Sequence, residues 1–193
     1  RPKGGLIEWD PEDTTKRISD TAARKFFIPQ LLDGLDSLFS RDQTHRRINP
    51  RNIFYDDSEH TLIALGECVS EPPGASQLAM FEPLERAIAS PNGRGEGGAP
   101  DDIYALGVTL YCLLRGGNPL KDLSDTEAIH SRMSKGTWGA LGEDAGIPRG
   151  FVSLLKGMLN DDPEARWTLR EIQLWLEGTA PRARAGRRAV PAP

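Results

Sequence analysis

The chain has 193 residues, enough for one ordinary domain with a sizeable core and too few for a comfortable second. Its formal net charge is -4, from 24 Lys and Arg against 28 Asp and Glu with both signs interspersed. That balance excludes a globally basic binder of nucleic acid or acidic membrane and makes any charged binding patch a local one. Cys68 and Cys112 fit neither a disulfide framework nor a paired zinc-ligand spacing and read as plain buried thiols of a reducing cytoplasm. No apolar run approaches the roughly 18 residues that a membrane span needs. The opening Arg1-Pro2-Lys3-Gly4-Gly5 has neither a methionine nor a signal-like apolar stretch, so a piece of a longer protein is expected.

Residues 1–19 mix Gly, Pro and charge and are expected to be an irregular, hinge-like lead-in. Ser19-Asp20 then opens a helix: Phe27, Leu31, Leu35, Leu38 and Phe39, flanked by Ile28 and Leu32, recur at helical spacing, and Pro29 inside the pattern marks a kink or break. Two short apolar stretches, 52–55 and 61–65, enclose the polar run 56–60 and read as a β-hairpin. Residues 70–100 are too rich in Pro and Gly for a regular element, apart from a short turn over 81–88, and the run from Gly93 to Gly98 reads as a flexible insertion.

Asp101-Asp102 is expected to cap a helix from Ile103 to Leu114 that is apolar nearly all round and therefore central to the domain; Gly116, Gly117 and Pro119 stop it. An amphipathic helix follows from Ser124 to about Lys135. Another runs after Pro148 through Phe151, Leu155 and Met158, and a last one is capped by Thr168 and carries Ile172, Leu174, Trp175 and Leu176. The tail 179–193, with four arginines among Pro and Ala, cannot bury a core and is expected to be disordered. The organisation expected is thus a lead-in over 1–19, one mainly α unit over 20–178, and a basic tail.

The phrase from His45 to Phe54, His-Arg-Arg-Ile-Asn-Pro-Arg-Asn-Ile-Phe, resembles the catalytic loop of eukaryotic-type protein kinases. His45, Arg46, Pro50, Asn52 and the apolar pair Ile53 and Phe54 stand in register with that pattern. Further phrases agree in order. Asp102 to Gly107 is similar to the motif opening the family's buried central helix, and Asp162-Pro163 with Arg166 to the phrase between its last helices. Pro83 and Glu85 stand near its Ala-Pro-Glu motif, with one place of extra separation. The resemblance implies a mainly α, kinase-like carboxy-terminal lobe with a small β-hairpin, the small lobe being absent from the chain. It implies that His45, Arg46, Asn52, Glu85, Asp102, Gly107 and Arg166 are structural motif residues. Asp102 would hold the His45-Arg46 turn through backbone amides, and Glu85 would pair with Arg166.

The chemical positions depart from the family. Arg47 replaces the aspartate that orients the substrate hydroxyl, Asn49 replaces the lysine, and Gly66 stands where the metal-binding aspartate belongs. A guanidinium cannot act as a base, and a neutral Asn52 alone does not hold magnesium. The expectation drawn from this is a pseudokinase, not an enzyme, with no catalytic residue, no metal site and no binding of ATP or magnesium, acting as a protein-binding or regulatory module. Arg47, Arg51, Asn52 and Glu67 are its expected partner-binding positions, Arg46, Arg47 and Arg51 concentrating charge that suits an acidic or phosphorylated segment.

The partner would be another protein or an upstream domain of the same polypeptide, with no specific nucleic acid and no membrane span. The alternative is an atypical nucleotide-binding transferase built from Asn52, Glu67 and upstream residues; a third reading is a purely structural helical domain. The excess of Arg over Lys points to a bacterial source.

Overall fold

In a computed structural model, residues 17–55, 62–68 and 77–179 are described. The lead-in up to residue 16, with Trp9, the hairpin's polar turn at 56–60 and the basic tail from residue 180 lie outside them. Among the described residues the fold is mostly helical, with one two-stranded antiparallel sheet.

The first amphipathic stretch folds in three pieces. Ser19 accepts a hydrogen bond from the Ala22 amide and caps helix α1 (Asp20–Ala22), a π-helical turn follows (Ala23–Phe27), and α2 (Ile28–Phe39) completes it. The interruption falls before Pro29 because proline has no amide to give to the preceding turn, and it is tolerated in the first turn of α2. Ile28, Leu31, Leu32 and Leu35 form the buried stripe of α2, each leucine contributing about 2 kcal/mol by its burial.

That stripe carries the hairpin. Strands β1 (Ile53–Tyr55) and β2 (Ile63–Leu65) pair with Ile53 opposite Leu65 and Tyr55 opposite Ile63. The Gln30 side chain of α2 accepts a hydrogen bond from the Ile63 amide at 2.9 Å, so the helix also satisfies a donor on the sheet edge.

Helix α4 (Ala99–Arg115) is the centre of the domain, with every residue from Asp102 to Leu114 buried. It starts four residues before the expected Ile103: Gly98 is its N-cap, the Asp101 carboxylate accepts the Gly98 amide at 3.1 Å, and Asp102 is left free for another task. Gly116 ends it at φ 90°, in the left-handed region. Helix α6 (Val152–Met158) crosses α4 at Gly107, where a Cβ would lie 2.9 Å from Met158 Cβ and 3.1 Å from Leu159 Cδ2; glycine is what allows that approach.

The capping box of Ser124 and Glu127 opens α5 (Asp125–Ala140), whose first helical run breaks at Gly136, directly after the expected end near Lys135, before a second run continues to Ala140. Thr168 and Glu171 form the same device at the start of α7 (Leu169–Leu176). The breaker-rich stretch before α4 contains a 3-10 turn at Ala79–Phe81 and the short helix α3 (Leu84–Ala87). Its glycine-rich run is tied down, with Arg86 donating to the Arg94 carbonyl at 2.8 Å and to Asp101 at 3.0 Å.

One thiol departs from expectation. Cys112 is buried, which pushes its pKa up to about 12, whereas Cys68 is exposed on the segment after β2, its Sγ donating to the Thr44 carbonyl. Among the described residues no strand pairs with the short stretch after Leu65.

Candidate functional site

The loop from His45 to Asn52 is held from below by α4. Asp102 accepts hydrogen bonds from the His45 amide at 2.6 Å and from the Arg46 amide at 2.8 Å, one on each carboxylate oxygen. Arg46 sits at φ 63°, a left-handed conformation that costs a non-glycine residue about 1 kcal/mol and persists only where surroundings fix it. The Asp102 carboxylate is that fixture. Burial raises its pKa to about 6, the two amides opposing the shift, so near neutral pH it remains largely ionised.

His45 is buried beneath the same turn, its Nδ1 accepting the Arg47 amide at 3.3 Å and its Nε2 enclosed without a hydrogen-bond partner. Burial lowers its pKa, which the neighbouring Gly66 backbone partly opposes. It is a neutral packing residue of the loop.

Downstream, Asn49 caps the 3-10 turn Pro50–Asn52 by accepting the Arg51 amide at 3.0 Å. Asn52 is buried and fully engaged: its amide donates to the carbonyls of Arg47 at 3.0 Å and Glu67 at 2.8 Å, and its oxygen accepts the Glu67 amide at 2.9 Å. It therefore stitches the loop to the segment after β2. Gly66 belongs to the same knot, since a Cβ there would overlap the Asn52 amide oxygen and the Phe54 ring and lie 2.9 Å from the Asn52 carbonyl.

No carboxylate stands at Gly66, Asn52 Oδ1 accepts the Glu67 amide, and among the described residues no group of three or more His, Cys, Asp or Glu is placed together.

Above the knot opens a cleft of about 390 Å³ lined by Arg47, Asn49, Arg51, Asn52, Phe54, Glu67, Gln77, Leu78 and Phe81. Arg47 is partly exposed there, with Glu67 Oε2 3.9 Å from its guanidinium and Glu67 itself largely in solvent. The structure thus brings Arg47, Arg51, Asn52 and Glu67 to one opening and leaves His45, Asp102, Gly107, Glu85 and Arg166 beneath it.

The lower frame is built on two buried arginines. Arg166 has no exposed side-chain surface; it donates to Glu85 at 3.2 Å, to the Asn160 carbonyl at 2.9 Å and to the Pro100 carbonyl at 3.2 Å. Arg132 is its counterpart. It donates to the carbonyls of Ala79 at 2.8 Å and Glu82 at 2.9 Å, and to Thr137 Oγ1 at 3.2 Å, which in turn donates to Asp161 at 2.5 Å. The Tyr104 ring lies between them, 5.4 Å from Arg132 and 5.2 Å from Arg166.

Arg132 fixes residues 79–82, a wall of the cleft, yet sequence reasoning missed it. The available signal was its spacing of four from Ala128 on α5, which puts it on the buried face while Met133 faces solvent.

A model of the protein kinase domain matches residues 6–174. The chain belongs to the protein kinase family. Among its relatives, CBL-interacting protein kinase 5 of Oryza sativa subsp. japonica is 31% identical over 166 residues, covering 81% of this chain and 34% of the relative. CBL-interacting serine/threonine-protein kinase 8 of Arabidopsis thaliana is 30% identical over 160 residues, covering 81% and 35%. Serine/threonine-protein kinase CHK1 of Mycosarcoma maydis is 30% identical over 152 residues, covering 77% and 23%. The kinase-family chain thus spans about a third or less of the length of these relatives.

The names of these relatives overturn the expectation that the chain is not an enzyme, since all are protein kinases and two are named serine/threonine-protein kinases. The physical error lay in weighing a missing base too heavily. Phosphoryl transfer passes through a loose transition state that demands position and charge stabilisation more than proton abstraction. The same relatives come from plants and a fungus and lend no support to a bacterial source.

Proposed function

We propose that this lobe belongs to a protein-kinase-family phosphotransferase with an atypical centre, acting on serine or threonine hydroxyls of a protein substrate. The observation that carries the reading is the cleft: a loop locked by Asp102 and Asn52 presents Arg47 and Glu67 side by side at its opening. In this reading residues 20–178 are the working unit, and residues outside the chain hold the nucleotide.

Arg47 lies against the transferred phosphoryl group, where a fixed guanidinium stabilises charge on the equatorial oxygens without having to deprotonate. Glu67, the carboxylate beside it, takes the proton of the attacking hydroxyl. The bond from the γ-phosphorus to its bridging oxygen breaks as one to the hydroxyl oxygen forms. Asn52 contributes rigidity, its side-chain amide donating to the Arg47 and Glu67 carbonyls and its oxygen accepting the Glu67 amide.

The protein substrate, or a regulatory protein partner, occupies this cleft, and two of the relatives are themselves named CBL-interacting. Two unpaired thiols suit a reducing cytoplasm.

Transfer of labelled γ-phosphate from ATP to a serine/threonine peptide library by the full-length protein tests the proposal. Arg47→Ala and Glu67→Gln, both at exposed side chains, should each lower kcat/KM by about tenfold or more. No transfer above background, or transfer untouched by both substitutions, refutes it.

A further inference from the structure

Three charged side chains border the cleft, and their arrangement leaves one of them uncommitted. Arg47 and Glu67 face each other at 3.9 Å. Arg51 projects from the exposed side of the 3-10 turn; its backbone amide is bound to Asn49, and its guanidinium makes no ion pair among the described residues. The opposite wall is apolar: Leu78 is 52% exposed, an unusual state for a leucine on a formed wall, and Phe81 lies behind it. The wall does not drift, because Arg132 ties the carbonyls of Ala79 and Glu82.

A rigid cleft with a lone cation on one side and an exposed aliphatic side chain on the other is complementary to an extended polypeptide bearing an anion and an apolar residue.

We infer that Arg51 and Leu78 select the protein substrate, favouring a segment with an anionic side chain close to its acceptor hydroxyl and an apolar side chain set against Leu78. This deepens the phosphotransferase reading and rests on it for the word substrate. The anion is a carboxylate or a phosphorylated serine or threonine; both present oxygens to the guanidinium, the phosphate with more charge. Arg51 is a specificity residue, distinct from Arg47 and Glu67.

The test is a fluorescence anisotropy titration of the full-length protein, without nucleotide. It uses three sets of labelled peptides in which one position near a central serine is Glu, phosphoserine or Lys, scanned from three residues before to three after. At one position the Glu and phosphoserine peptides should bind about tenfold more tightly than the Lys peptide at low salt, with the difference shrinking as ionic strength rises. Arg51→Glu should invert that order at the same position, and Arg51→Gln should flatten it. Because Arg51 is exposed and only its backbone is engaged, both variants keep the fold. Tighter binding of phosphoserine than of Glu assigns a phosphorylated segment, and equal binding assigns an acidic one; either upholds the inference.

Equal affinity for Lys and Glu peptides at every position, an order unchanged by Arg51→Glu, or equal binding of scrambled acidic peptides overturns it. Charge-ordered binding without phosphate transfer would sink the transferase reading and leave the selection by Arg51 standing. Transfer without charge-ordered binding would do the reverse.

Discussion

The Asp102 clamp yields a prediction with an unusual sign. Most native carboxylates lose stabilising partners on acidification, so proteins weaken as pH falls. Asp102 is different: burial raises its pKa from an ordinary value near 3.8 to about 6, so between those limits the unfolded chain has released a proton that the folded one still holds. The folded state binds more protons there, and stability must fall as pH rises through the window. The size follows from the distance between the two values, about two pH units at about 1.4 kcal/mol each, giving about 3 kcal/mol as an upper figure.

Asp102→Asn removes the titration and keeps the shape. It leaves one oxygen for two donors, so the His45 or the Arg46 amide faces an NH2 group, at a cost of about 1–3 kcal/mol. Urea titrations of the chain from pH 4 to pH 7, followed by tryptophan fluorescence, give both stabilities. Wild-type minus variant stability should decline by up to about 3 kcal/mol between pH 4 and pH 6 and then level off. Neighbouring Asp101 and Arg46 are common to both proteins and cancel in that difference. A flat difference, or one that rises with pH, would mean that the two amides outweigh burial, and the reasoning would fail.

Two substitutions test the frame around the cleft. Gly66→Ala forces a Cβ into the Asn52 amide oxygen and the Phe54 ring; a loss of about 2 kcal/mol should lower Tm by about 4–8 °C in a thermal scan, and an unchanged Tm would show that the knot has slack. Arg132→Met deletes donors to Ala79, Glu82 and Thr137 while filling the same space, leaving buried carbonyls unpaired. It should cost about 3 kcal/mol and expose residues 77–82 to limited proteolysis, whereas an undisturbed cleavage pattern would remove Arg132 from its positioning role.

What could be read from the chain follows from which interactions are local. The spacing of Leu31 and Leu35, the all-apolar run from Ile103 to Leu114, and the Ser124 and Thr168 caps are short-range signals, and each marks a helix in the structure. Tertiary partners divided the expected Asp101-Asp102 cap: Asp101 closes the end of α4, while two amides 56 and 57 residues away take the Asp102 carboxylate, the role that the family resemblance implies for it. Arg132 was hidden for the same reason, as an arginine on an amphipathic helix ordinarily snorkels to water. The carbonyls of a segment some fifty residues earlier turn it inward, together with Thr137 and the Tyr104 ring.

At the cleft, the residue types and the geometry must be taken together. From residue types alone, Arg47 and Gly66 read as subtractions: a base gone and a carboxylate gone. The structure shows that each position is occupied by something that constrains the loop. Gly66 is glycine because Asn52 and Phe54 fill the volume a side chain would need, so reinstating an acid there would break the knot rather than restore a metal ligand. The Arg47 backbone is pinned, its amide by His45 and its carbonyl by Asn52, so that its side chain leaves the loop at the mouth of the cleft. A guanidinium is a poor proton acceptor and a good anchor for phosphoryl oxygens, so the proposed phosphotransfer is best probed through charge stabilisation by Arg47 and the inferred substrate choice by Arg51.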